Sequence, residues 1–140
     1  EFDLVEFESV TSSDSIIAMN HLIQLERKFL GHIAKCYNFE HKFKEISYDD
    51  AIKITDLDFG DDIDAEAEHF LLNRWDDGPI DSLAICNYPE KLCHISMAKI
   101  PGKPLCQKID VILAAGGEVI GSAVRSTDRA YLEKRLYKSG

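Results

Sequence analysis

An α+β fold, an antiparallel β-sheet flanked by helices, is predicted for this 140-residue chain by two observations. Across the first half, apolar residues recur at three- and four-residue spacings, the period of a helix with one buried face. The second half changes to short apolar runs separated by Pro89, Pro101, Gly102 and Pro104, which read as strands joined by tight turns. Helices first and strands afterwards suit helices packed on an antiparallel sheet.

The elements follow in order. FDLVEFE, residues 2–8, alternates in part between apolar and acidic positions and predicts a strand. TSSDS supplies N-cap residues for a long amphipathic helix from about Asp14 to about Lys35, carrying Ile16, Met19, Leu22, Ile23, Leu25, Phe29, Leu30 and Ile33. CYNFEHKFKE reads as a polar connection. A shorter helix starts near Ser47, with Asp49 and Asp50 in its first turn where the helix dipole favours acids. DLDFGDDID is a loop by composition, and a third helix begins near Ala65, with Phe70, Leu71 and Trp75 close to one face. SLAICNY, CHISMAKI, QKIDVILAA and GEVIGSAVR predict four strands. DRAYLEKRL closes the chain as a helix, with Asp128 at its start.

Composition narrows the function. A hydrophobic fraction of 45% allows a substantial core, in one domain at this length. The net charge of −9 argues against a broad nucleic-acid footprint, which needs clustered Lys and Arg. No apolar run reaches membrane-spanning length, so membrane insertion is not expected. EFDLVEFESV has neither the basic nor the apolar region of a secretion signal. The expected location is cytoplasmic or mitochondrial. Cys36, Cys86, Cys93 and Cys106 form no CxxC pair and read as reduced, mostly buried thiols. His32 and Cys36 are one helical turn apart, but a metal site needs further ligands.

The chemistry-bearing residues gather near the end. Asp110 interrupts an apolar strand, so its carboxylate needs a hydrogen bond, an ion pair or a cation. Glu118 follows the turn AAGG on the next strand, where a hairpin brings the two acids together. Such a pair can hold Mg²⁺ along with substrate phosphates. Arg125 lies an odd number of residues beyond Glu118, so a bulge around Gly121 is required to aim both at one face. Gly116, Gly117 and Gly121 weaken the strand and suit close approach of a ligand. By spacing alone, the same residues also fit an acid at a strand start, a solvated glutamate and an arginine in a surface ion pair.

Read together, these words resemble the catalytic domain of class II aminoacyl-tRNA synthetases, closest to the asparaginyl-tRNA synthetases. KIDVILAAGGEVIGSAVR resembles the family's Asp strand, turn and GEIIGG strand. NYPEKLCHISM resembles its DYP segment, GDDIDAEAEHFLL its WGDDL-x-x-EHE helix start, and ISYDDAIKI its ISYTEAI helix. EFDLVEFE resembles the strand that ends motif 2. Five such words in one order cover nearly the whole chain; aspartyl-tRNA synthetases and a related asparagine synthetase share enough of them to remain possible relatives. The resemblance implies that Asp110 and Glu118 bind Mg²⁺–ATP. It assigns Arg125, Glu66, Glu68, Gly121 and Ser122 to the amino-acid pocket, the last two as small residues near the substrate. Glu66 and Glu68 fit equally well as a charged first helical turn.

Departures from the family pattern set the functional expectation. Residues 1–140 correspond to the stretch from the end of motif 2 to before motif 3, so the arginine-bearing FRAE-like and GFER-like words fall outside them. Charge on the transferring phosphoryl group needs such cations. The family's PFYM-like strand is His94, Ile95, Ser96 and Met97 here, and DYP has become NYP. The expectation is therefore a catalytically incomplete relative acting as a structural or binding subunit of a larger assembly, with a protein partner. Two alternatives are a catalytic-domain portion of an active enzyme, acting on tRNA, and a remnant that senses an amino acid or nucleotide.

Overall fold

The computed structural model describes residues 5–10, 14–38, 40–114 and 116–138. Its sheet has the order β1-β2-β3-β4, formed by Phe43–Ser47, Ser82–Pro89, Leu105–Leu113 and Gly117–Ala123. Among the described residues four α-helices accompany it: α1 (Ser15–Cys36), α2 (Tyr48–Thr55), α3 (Ala65–Asn73) and α4 (Arg129–Lys138). The α+β class and the flanking helices agree with the sequence reading.

Side-chain caps set the helix starts. Asp14 accepts from the backbone N–H groups of Ile16 and Ile17 at 2.9 and 3.2 Å. Asp64 accepts from Ala67 at 2.9 Å and Asp128 from Tyr131 at 3.1 Å. Ser47 accepts from the Asp50 N–H at 3.1 Å and donates its hydroxyl to the Asp50 carboxylate at 2.7 Å. Ser47→Ala removes both bonds and is expected to cost about 1 kcal/mol, the usual value of a lost N-cap, measurable by urea unfolding.

Both faces of the sheet are covered. Met19, Ile23 and Leu30 of α1 pack against Ala84, Cys86, Ile109 and Val111. On the opposite face, Tyr48, Ala51 and Ile52 of α2 and Leu71 and Leu72 of α3 meet Leu83, Ile85, Tyr88, Cys106 and Ile112. Alternating side chains along β2 and β3 are thus divided between two cores, as strand period requires. Phe70, expected on the buried face of α3, is exposed, while Leu71 carries the burial.

Three strand expectations need correction. The sheet is mixed: β1, which starts within the stretch read as a polar connection, pairs parallel with β2, joining Phe43 to Ser82 and Ser47 to Cys86. Its polar residues gave no strand signal because an edge strand keeps much of its surface in solvent. CHISMAKI does not form a strand. Glu90–Leu92 make a short 3₁₀ turn, and residues 93–100 touch the sheet through two isolated bridges, Met97 with Arg125 and Lys99 with Cys106. The segment crosses the ends of β3 and β4, where Ala98 donates to Val124 O at 2.7 Å and accepts from Gln107 N at 2.8 Å. Of the strand expected over 2–8, residues 2–4 lie outside the described residues, and 5–8 are exposed without strand pairing among the described residues.

Candidate functional site

The hairpin of β3 and β4 places the predicted acids. Asp110 pairs with Gly121 and Val111 with Ile120, but Ile112 pairs with Glu118, leaving Val119 as an extra residue. This bulge reverses side-chain parity. Glu118 therefore shares a face with Asp110, Gly121 and Arg125, as the sequence reading required, although the extra residue is Val119 rather than one at Gly121.

α3 contributes the third acid. Glu68 lies in its first turn, and a Cβ on Gly117 would come within 3.2 Å of Glu68 Oε2. A Cβ on Gly121 would stand 2.8 Å from Glu118 Oε1 and 3.8 Å from Asp110 Oδ1. The two glycines thus open the space in which the three carboxylates gather. Lost hydration, then the charge of Asp110, push the Glu118 carboxyl above its ordinary range, although Glu118 keeps access to solvent. Glu68 is raised for the same two reasons, in the same order. Asp110 is itself buried, and its Oδ1 has no hydrogen-bond partner.

Two residues that sequence reasoning did not single out complete the cluster. Lys108 Nζ pairs with Asp110 Oδ2 at 2.6 Å and lies 4.3 Å from the ring centroid of Tyr88. Tyr88 borders Asp110, and burial followed by that negative charge pushes its phenol strongly upward. Lys108 was detectable, since two residues before Asp110 on a strand means the same face. Tyr88 was not, because its direction depends on Asn87. A left-handed φ of 66° at Asn87, beside a register shift between Cys86 and Tyr88, turns Tyr88 toward the face of Leu83 and Ile85.

The remaining predicted residues lie apart from the three acids. Arg125 is exposed and donates from Nη1 to Ser96 Oγ at 2.8 Å, and Ser96 Oγ also meets His94 Nδ1 at 2.8 Å. Ser122 points to the α1 face, where its hydroxyl donates to Glu26 Oε1 at 2.5 Å. Only its backbone is available to the acid-bearing face. Glu66 is exposed in the first turn of α3. His32 and Cys36 meet at 3.8 Å on the surface of α1.

The site fits a hard cation in one respect and resists it in another. Gathered carboxylates, raised Glu118 and Glu68, and the unpartnered Oδ1 all favour an added positive charge. Among the described residues, however, no three His, Cys, Asp or Glu side chains converge closely enough to hold a metal alone. Mg²⁺ characteristically takes one or two carboxylates and completes its shell with water and phosphate oxygens. Asp110 and Glu118 would hold it on those terms.

The family model of class II tRNA synthetases (D, K and N) matches residues 1–140. The chain belongs to this family. Within the class II synthetases it is similar to the asparagine–tRNA ligase of Herpetosiphon aurantiacus, at 32% identity over 76% of this chain and 28% of the relative. The asparagine–tRNA ligase of Lactobacillus johnsonii is 34% identical over 72% of this chain and 24% of that protein. Pyrococcus horikoshii asparaginyl-tRNA synthetase, solved with asparaginyl-adenylate, superposes with a TM-score of 0.64 at 26% identity, over 87% of this chain and 30% of its own. The Entamoeba histolytica asparaginyl-tRNA synthetase superposes at 0.67 with 23% identity, over 87% of this chain and 32% of its own, and shows the shared fold. This class II synthetase chain therefore spans about a quarter to a third of the relatives it matches. No helix among its described residues is long and apolar enough to cross a membrane.

Proposed function

We propose that this chain forms the nucleotide- and amino-acid-facing floor of an asparaginyl-tRNA synthetase catalytic domain, where asparagine is joined to AMP before transfer to tRNA. The observation that carries this reading is the bulged hairpin that turns Glu118 toward Asp110, with glycine backbone between them and Glu68 opposite. Asp110 and Glu118 hold Mg²⁺–ATP. The ion supplies positive charge where phosphoryl charge develops. Arg125 binds the amino acid, while Gly121 and the backbone of Ser122 allow close approach.

A second reading is a structural or binding subunit of a larger assembly that lacks turnover. It is supported by the two internal contacts that occupy the site: Lys108 on Asp110, and Ser96 with His94 on Arg125. Pyrophosphate exchange with asparagine separates the two readings. Exchange by the natural protein, lost on Glu118→Gln, supports the first. Calorimetric binding of Mg²⁺–ATP without exchange, or absence of both, supports the second and overturns the first, and exchange that depends on Glu118 overturns the second.

Gly121→Ala probes the floor directly. The new methyl displaces only the flexible end of Glu118, so the thermal midpoint should move little. Affinity for Mg²⁺–ATP should fall on the order of tenfold, as when ligand orientation is disturbed. Unchanged affinity would remove Glu118 from the site.

A further inference from the structure

Cys93 and Cys106 lie away from the acids, beneath α4. We propose that they form a dithiol site oxidised by hydroperoxides to an intramolecular disulfide, with Cys106 the attacking thiol and Cys93 the resolving one. Both are free and buried, and both belong to the core cluster between the sheet and the α2–α3 layer. Tyr88 links them: its carbonyl oxygen lies 3.7 Å from Cys93 Sγ, and its strand partner on β3 is Cys106.

The surroundings differentiate the two sulfurs. Cys106 Sγ is 3.5 Å from the Tyr131 hydroxyl, which in turn accepts from Arg135 Nη1 at 3.3 Å. Hydrogen bonds from Cys93 and Tyr131, with the Arg135 charge behind them, hold the Cys106 thiol below its ordinary range despite burial. Donating to Cys106, together with burial, pushes Cys93 upward. The remaining thiols lack this arrangement. Cys86 is buried in the α1 core and pushed up to about 12, chiefly by desolvation, while Cys36 is exposed on α1 beside His32.

The proposed access for the oxidant is under α4, whose Tyr131 touches Cys106. Arg135 ties the helix to the segment beneath it: it donates to Cys93 O at 2.7 Å and Glu90 O at 3.1 Å, and pairs with Glu90 Oε1 at 3.0 Å. Beside it is a cavity of about 90 Å³ lined by Glu90, Lys99, Tyr131, Lys134 and Arg135. That volume admits a peroxide, since a water molecule occupies about 30 Å³ in the liquid. Two of its lining residues are the ones that touch or back Cys106.

The chemistry balances with hydrogen peroxide as oxidant. The Cys106 thiolate attacks one peroxide oxygen, the O–O bond breaks, and hydroxide leaves to become water, giving Cys106 sulfenic acid. Cys93 sulfur then attacks Cys106 sulfur, and the sulfenic hydroxyl leaves as a second water with the Cys93 proton. Two thiols lose two electrons and peroxide gains them.

The test uses the unmodified chain, treated with hydrogen peroxide, alkylated with iodoacetamide and digested with trypsin without reductant. Lys99 lies between the two cysteines, so a disulfide joins two separate peptides. The expected result is a Cys93–Cys106 linked peptide that dithiothreitol releases. Cys93→Ser should accumulate Cys106 sulfenic acid, trapped by dimedone. Tyr131→Phe should slow oxidation about threefold by withdrawing a thiolate hydrogen bond. Full alkylation of both cysteines, at peroxide levels that exhaust Cys36, would overturn the proposal. Linkage that forms only in denaturant would overturn it too.

Discussion

Lys108→Met is expected to destabilise the domain by about 3 kcal/mol at pH 7, the scale found when one partner of a buried ion pair is removed. Lys108 Nζ sits 2.6 Å from Asp110 Oδ2, and the two side chains are only 20% and 6% exposed. Methionine keeps an apolar stem near the Tyr88 ring but leaves the Asp110 charge unpaired beside Glu118 and Glu68. Urea unfolding at constant pH measures the loss. The same substitution removes a cation that holds the Glu118 carboxyl down, so its titration, followed by carboxyl NMR, should move further upward. Millimolar Mg²⁺ should recover part of the lost stability if the carboxylates accept the ion. A loss below about 0.5 kcal/mol would mean the pair behaves like a solvent-screened surface bridge.

Glu26→Gln should do the opposite at neutral to alkaline pH. Glu26 is buried in α1 beneath the sheet, with Oε1 accepting from Ser122 and Oε2 unpartnered. Desolvation first, and the charge of Asp110 from the other face, raise its carboxyl from 4.5 to about 7 against the lowering bond from Ser122. The native state therefore holds a proton that the unfolded chain has released between those values. Its contribution to stability is complete below pH 4.5 and is lost as pH rises through about 7. At about 1.4 kcal/mol per pH unit of separation, the ionised carboxylate costs on the order of 3 kcal/mol at pH 8. Glutamine removes that cost, so variant and parent should match near pH 4, separate between about pH 4.5 and 7, and differ by roughly this amount above that, in urea unfolding curves. Parallel pH profiles would show that Glu26 ionises freely in the native state.

Both predictions concern residues whose identity is plain in the sequence and whose environment is not. The helices were legible because each carries its own signals: a capping Asp or Ser, an apolar stripe and a polar far side. α1 begins where TSSDS indicates, and α2 at Ser47. The central strands were legible because burial on both faces produces uninterrupted apolar runs at SLAIC and VIL. β1 was missed because FKEIS is partly exposed and its pairing with β2 joins residues far apart in sequence. CHISMAKI was misread because an apolar segment can be buried by crossing strand ends as well as by joining a sheet.

The candidate site divides in the same way. Asp110, Glu118 and the glycines between them stood out as an acid in an apolar run and small residues where a strand prefers large ones. Their common face depends on where one extra residue enters β4, and the bulge at Val119 is chosen by pairing with β3. The roles of Lys108 and Tyr88 depend on contacts across β2 and β3, and those of Glu26 and Ser122 on α1 packing against the sheet. By itself, the sequence determined the helices, the central strands, the α+β class and the family, because caps, periods and motif words are local and survive being read in one dimension. Only the tertiary structure decided which charges share a space and which carboxyls lose their water, because electrostatics and desolvation depend on distances between elements that the chain order does not contain.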